Sequence, residues 1–94
     1  MALASKVRPP KRPTQVCELL RTVKSIEELR RVLKVIERSS RFVVIEKRDG
    51  WEVWHPRYLV ADIVIEHSKV KIYANLNRWF GGYSPHLINE FPMR

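Results

Sequence analysis

Between residues 48 and 83 the chain interleaves aromatic rings with cations: Arg48, Trp51, Trp54, Arg57, Tyr58, Lys69, Lys71, Tyr73, Arg78, Trp79, Phe80 and Tyr83. Unpaired nucleic-acid bases expose flat faces, and stacking one on an aromatic side chain is worth about 1–3 kcal/mol. Lys and Arg beside such rings neutralise phosphates, and Arg can also stack. A duplex hides its base faces, so this mixture suits a single strand. The competing use of the same rings is to fill a small core or an oligomer interface. Phe42 and Trp54 are assigned to the core, and Trp51 and Tyr73 to an open face of a sheet. The segment Asn77-Arg-Trp-Phe-Gly-Gly-Tyr83 sets two bulky rings before a Gly-Gly reversal. It fits either an aromatic clamp on a loop or an anchor that packs the end of the chain onto the sheet.

Other chemistries find little footing. His55, His67 and His86 are scattered without the neighbours of a zinc site. Asp62 and Glu66 would share a strand face about 13 Å apart, too far to hold one metal between them. No phosphate-cradling glycine loop, nucleophile elbow or Cys/His pair can be assembled. The expectation is a binding protein with no catalytic residues, no metal site and no cofactor.

The elements that must position the rings follow from periodicity. Residues 1–13 hold Lys6, Arg8, Lys11 and Arg12 with three prolines and no acid. They read as a flexible basic arm, either solvated or in contact with phosphates. Residues 14–94 read as a single α+β domain. Val16, Leu19, Leu20 and Val23 form one helical stripe behind a Thr14 N-cap. Ser25 and Glu28 have capping-box spacing ahead of a second stripe, Ile26, Leu29, Val32, Leu33 and Ile36. One long helix broken near Lys24 would fit as well as two. Arg30, Arg31, Lys34 and Arg38 make the outer face of this helix basic, which reads as solvation rather than as a duplex-reading surface. Cys17 lies beside the apolar stripe and is assigned to the core.

After Arg41 the period becomes two. Two hairpins are predicted, one turning at Asp49-Gly50 and one at His67-Ser68. In the second, Ile65 faces Val70, Ile63 faces Ile72 and Ala61 faces Ala74, leaving Glu66 opposite Lys69 on a polar side. Ser84-Pro85 reads as the start of a short C-terminal helix burying Leu87, Ile88 and Phe91. The expected fold is therefore N-terminal helices packed on one face of a four-stranded antiparallel meander, with a short helix at the end.

Composition sets the outer bounds. Ninety-four residues suffice for one domain and fall far short of a (β/α)8 barrel, which needs about 250. Eighteen Lys and Arg against ten Asp and Glu give a net charge of +8, pointing to polyanions as partners. A single cysteine allows no intrachain disulfide and suits a reducing, cytoplasmic setting. No apolar run approaches the roughly 20 residues that span a bilayer, and the N-terminus lacks a secretion signal.

The order of parts resembles the ThermoDBP-related proteins, single-stranded DNA-binding proteins of thermophilic archaea distinct from the OB-fold group. The likeness covers roughly residues 14–83 and is carried by layout and by Trp51, Trp54, Tyr73, Trp79 and Phe80. It implies a helix-backed sheet, self-association as a dimer or tetramer, and single-stranded DNA held in a cleft or between subunits. The expected function is sequence-tolerant binding of single-stranded DNA. The alternative is an RNA-binding or ribonucleoprotein subunit whose aromatics form an oligomer interface.

Overall fold

The computed structural model describes residues 8–77 and 82–93. Two helices come first, α1 (Pro13–Arg21) and α2 (Ile26–Arg38). Helix α1 opens on Pro13 at its first position, where a missing N–H costs nothing. The Gln15 side chain, rather than Thr14, serves its start by accepting the backbone N–H groups of Lys11 and Arg12. Of the basic segment 1–13, Pro10 is buried and its carbonyl accepts the Ser39 hydroxyl at 2.8 Å. At α2 the Ser25 hydroxyl accepts the Glu28 N–H at 3.2 Å, while Glu28 accepts the Lys24 N–H at 2.9 Å. The Ser25 cap, with Glu28 reaching back to Lys24 rather than to Ser25 itself, thus fixes a break between two separate helices.

Five strands follow, β1 (Val43–Lys47), β2 (Gly50–His55), β3 (Tyr58–Glu66), β4 (Lys69–Asn75) and β5 (Pro85–Pro92), paired in that order as an antiparallel meander. The β3–β4 register is the one read from the sequence, with Ile65 opposite Val70, Ile63 opposite Ile72 and Ala61 opposite Ala74. Its two-residue turn puts His67 and Ser68 at φ 54° and 64°. The first hairpin turns one residue earlier than expected. Lys47 pairs with Gly50, so Arg48 and Asp49 form the turn. Gly50 already lies in β2 at φ 152°, and a Cβ there would sit 1.8 Å from the Ile63 carbonyl oxygen. Only glycine allows β2 to lie this close to β3.

A slip of register between Val53 and Trp54 governs how β2 meets β3. His55 pairs with Tyr58 across the turn, and Trp54 with Leu59. Beyond the slip Val53 pairs with Ala61 and Trp51 with Ile63. The extra residue is Val60, so β3 buries two successive side chains, Val60 and Ala61. An unbroken ladder from the same turn would set Trp51 beside Asp62. The bulge instead aligns apolar with apolar, and it reverses the facing expected for the tryptophans. Trp51 goes beneath the helices, and Trp54 stands on the open face.

The end of the chain is strand β5, not a helix, so the sheet has five strands rather than four. The Pro85 start signal is outweighed by two constraints. Eight residues bounded by prolines make a helix too short to stand on its own. Meanwhile β4 has a free edge with unpaired backbone groups. Pairing with it sets Phe91 against Val70 and Asn89 against Ile72. The Asn89 amide then donates to the Leu20 and Val23 carbonyls at 2.9 and 2.6 Å, tying the last strand to the C-terminal end of α1.

The core lies between the helices and one face of the sheet. Val16, Leu20, Leu29, Leu33 and Ile36 meet Trp51, Val53, Ile63, Val70, Ile72 and Phe91. Phe42 joins them as expected, and Cys17 packs at the margin. Among the described residues no helix is long and apolar enough to cross a membrane. Replacing Gly50 by Ala drives a methyl group into the β3 backbone, so G50A is expected to lose about 2 kcal/mol or more of stability in urea melts. An unchanged midpoint would refute the close approach.

Candidate functional site

The face of the sheet away from the helices carries a different set of side chains. Asp62 opposes Tyr73, Val64 opposes Lys71, and Tyr73 opposes Leu87. At the end of the sheet where β2 turns into β3, this face hollows into a cleft of about 330 Å³. Glu52, Trp54, Arg57, Tyr58, Leu59, Asp62, Asn75, Gly82 and Tyr83 line it.

Each wall is placed by its element. Trp54 is half-buried because the alternation of β2 turns it outward, and its indole N–H donates to Glu52 Oε1 at 2.9 Å. Tyr58 stacks on His55 with ring centres 5.0 Å apart and planes at 19°. Tyr83, 54% exposed, reaches the cleft from the segment between β4 and β5, where its hydroxyl donates to Asp62 Oδ2 at 3.0 Å. That segment is anchored by Asn75, only 6% exposed. Its amide donates to Leu59 O at 3.0 Å, and its carbonyl oxygen accepts the N–H groups of Asn77 and Ser84 at 3.1 and 3.0 Å.

Two carboxylates and one ammonium join these walls. Lys47 Nζ lies 2.9 Å from Asp62 Oδ1 and 3.5 Å from Glu52 Oε2. The hydrogen bond to Asp62, followed by attraction to Asp62 and Glu52, raises the Lys47 pKa against the opposing pull of burial. A chain of contacts therefore runs Trp54–Glu52–Lys47–Asp62–Tyr83 and holds both rings in place. All four carboxylate oxygens are engaged within it. What remains open to a visitor is ring surface and the Arg57 rim.

The expected site residues divide by position. Trp54, Arg57, Tyr58 and Tyr83 meet in the cleft, and Tyr73 lies beside Asp62 on the same face. Lys71 sits further along β4, 3.3 Å from Glu66, and exposed Lys69 lies 3.4 Å from Glu90. Arg48 is exposed in the β1–β2 turn at the opposite end of β2. Trp51 is not part of the site. It is buried on the helical side, where the Arg30 guanidinium lies 5.9 Å from its ring. Arg78, Trp79 and Phe80 lie outside the described residues. Glu52, Lys47 and Asn75 also belong to the site, beyond the residues expected from the sequence. Glu52 and Lys47 were legible as outward residues on strands that flank Trp54 and Asp62. Asn75 gives no signal until the segment it anchors is in place. Among the described residues no three His, Cys, Asp or Glu side chains converge to hold a metal ion.

Fold and site together define an α+β domain with a two-helix layer on one side of a five-stranded meander and a ring-lined cleft on the other. No protein-family model matches the chain, and neither a curated protein nor a solved structure matches it.

The Tyr83 hydroxyl is the site's clearest titration marker. Loss of solvent around it, followed by its hydrogen bond to Asp62, pushes its pKa up to about 12. The folded state thus holds this proton more tightly than the unfolded chain, whose tyrosines ionise near 10. The associated stability is complete below pH 10 and lost as pH rises through 12. Difference absorbance between the parent and Y83F is expected to show a phenol ionising near pH 12, moved down by D62A. A parent-minus-Y83F difference signal that ionises near 10 would contradict this geometry.

Proposed function

We propose that this protein binds single-stranded DNA on the open face of its sheet, largely irrespective of sequence and without catalytic activity of its own. The observation that carries this reading is the cleft itself. Trp54, Tyr58 and Tyr83 surround an open hollow on the one sheet face the helices leave bare. Its volume is that of a small-ligand site, enough to seat a base. The chemistry of the centre favours bases over phosphates. Glu52 and Asp62 outnumber Lys47 there, so a phosphodiester is repelled from the floor while a neutral base is not. The phosphates run along the rim past Arg57 and Lys71, and on towards Lys69 and Arg48. Tyr73 extends the stacking surface along β4. Arg78, Trp79 and Phe80, outside the described residues, complete the proposed set of stacking and phosphate-contacting residues.

A place beside the ThermoDBP-related proteins of thermophilic archaea, and work in the cytoplasm, belong to the same proposal. Single-stranded RNA is the alternative ligand, since stacking alone does not sense the 2′-hydroxyl. Tryptophan fluorescence tests the reading directly. A mixed-sequence single strand is expected to quench the protein, and W54A to weaken its binding by about 5- to 150-fold, the equivalent of one stacked base. W51F should retain both quenching and affinity. Undiminished binding by W54A would overturn the assignment of the cleft.

One observation favours a second role for the same layer, as a contact between copies. Strand β1 is an edge, and Val43 and Ile45 stand 56% and 44% exposed on its outward side. Exposed edges with apolar side chains invite strand-to-strand pairing. A dimer or tetramer built on this edge would extend the binding face across subunits. Sedimentation equilibrium should report an oligomer for the parent chain and a monomer for V43K/I45K. A parent chain that is monomeric at high concentration would exclude this contact.

A further inference from the structure

Charge is divided unevenly between the two layers. Over the described residues from Arg8 to Arg41, ten Lys and Arg stand against four acids. Over those from Phe42 to Met93, five stand against six. The basic excess of the described residues therefore belongs to the helices and the segments bounding them, on the side of the molecule away from the aromatic cleft.

The cations of the two layers also differ in how they are engaged. Among the described residues, Lys47, Lys69 and Lys71 of the sheet each lie within 4 Å of a carboxylate. Among the described residues no cation of the helical layer does, and of the sheet only Arg48 and Arg57 share that freedom. Helix α2 buries Leu29, Val32, Leu33 and Ile36, and the opposite ridge exposes Arg31, Lys34 and Arg38. These three follow one another at i, i+3 and i+7, spanning about 10 Å of helix. Glu27 begins the same ridge, while Arg30 and Glu37, with exposed Lys34 at the border, line a hollow against Trp51 and β1. Exposed Arg41 continues the basic surface past the end of α2.

This layer lacks what the sheet face has. Residues 1–41 contain no Phe, Tyr or Trp, so the layer offers no aromatic ring on which a base could stack. Nor, among its described residues, does it expose the large apolar side chains that insert into a lipid surface. Among the described residues, the large exposed hydrophobics Val43, Ile45, Leu76, Tyr83 and Leu87 all come after α2. A rigid row of unpaired cations without rings matches a ligand recognised by charge spacing alone. Duplex DNA carries one negative charge per about 1.7 Å of its axis and shields its base faces.

We propose that the outer face of the helical layer, centred on Arg31, Lys34 and Arg38, is a second nucleic-acid surface that takes the phosphate backbone of a duplex irrespective of sequence. It replaces the reading of these residues as a merely solvated face, and it does not depend on the role of the cleft. With both surfaces occupied, one molecule would hold a single strand and a duplex on opposite sides.

Two charge-matched variants test this, R31Q/K34Q/R38Q and R48Q/K69Q/K71Q. Glutamine preserves helix propensity, and circular dichroism checks that each variant is folded. Binding to a fluorescein-labelled 20-base-pair duplex is followed by anisotropy across a salt series, and binding to a single strand by tryptophan quenching. The helix variant is expected to reduce the slope of log affinity against log salt for the duplex by about 2.7, at 0.9 per phosphate contact. It should leave single-strand quenching intact. The sheet variant should leave the duplex slope unchanged. Equal loss of duplex affinity in the two variants would mean that net charge alone governs binding, and would overturn the proposal. So would a parent chain that fails to bind the duplex, or one that binds phosphatidylserine vesicles more tightly than the duplex through the same three residues. Failure of the sheet variant to weaken single-strand binding would count against the cleft and leave this surface standing.

Discussion

The single extra residue that β3 inserts at Val60 sets the organisation of the whole molecule. A two-residue turn at Pro56-Arg57 joins β2 to β3, and a ladder counted evenly from that turn would mix the faces of the two strands. Trp51 would meet Asp62, and Glu52 would meet Ala61. The bulge removes this conflict by one step of register, so that Trp51 meets Ile63 and Val53 meets Ala61 on one side, while Glu52 meets Asp62 on the other. One face then becomes continuously apolar and can be roofed by α1 and α2. The other brings Glu52 and Asp62 within reach of Lys47, with Trp54 held by Glu52. A slip of one residue inverts every side chain beyond it, so the core and the cleft stand or fall together.

The polar face that results is held by its own ligation. Lys47 bridges the two carboxylates, and each carboxylate in turn fixes one aromatic side chain by accepting its N–H or O–H. Rings held in this way are ordered before a ligand arrives, which lowers the entropy lost on binding. The carboxylates also keep other anions from the floor of the cleft. Under the proposed function, such a site would draw a base inward and leave its phosphate at the rim.

Much of this fold was legible in the residues. The capping-box spacing of Ser25 and Glu28, the stripe from Ile26 to Ile36 and the β3–β4 register all correspond to local rules that tertiary packing did not disturb. The failures share one cause, which is that a neighbour outweighed a local signal. Pro85 and its surroundings read as a helix start, yet the free edge of β4 recruited them as β5. Trp51 and Trp54 could be placed on opposite faces from their spacing, but which face was which depended on the bulge, and no residue type announces Val60 as its extra member. Of the expected site, Trp54, Arg57, Tyr58 and Tyr83 converge. The charges that brace them, Glu52 and Lys47, went unnoticed because single charged residues on a strand usually signify only a solvated face.

The molecule divides into a ring-bearing, near-neutral sheet layer and a ring-free, basic helical layer, with the cleft of the first as its centre. Amide chemical-shift mapping with a short single-stranded oligonucleotide tests that centre most directly, since both indole N–H groups of β2 report separately. The largest shifts are expected at the Trp54 indole and at the amides of Glu52, Leu59, Asp62, Asn75 and Tyr83, with the Trp51 indole and Leu29–Ile36 unmoved. Shifts confined to α2, or shared equally by the Trp51 indole, would contradict it.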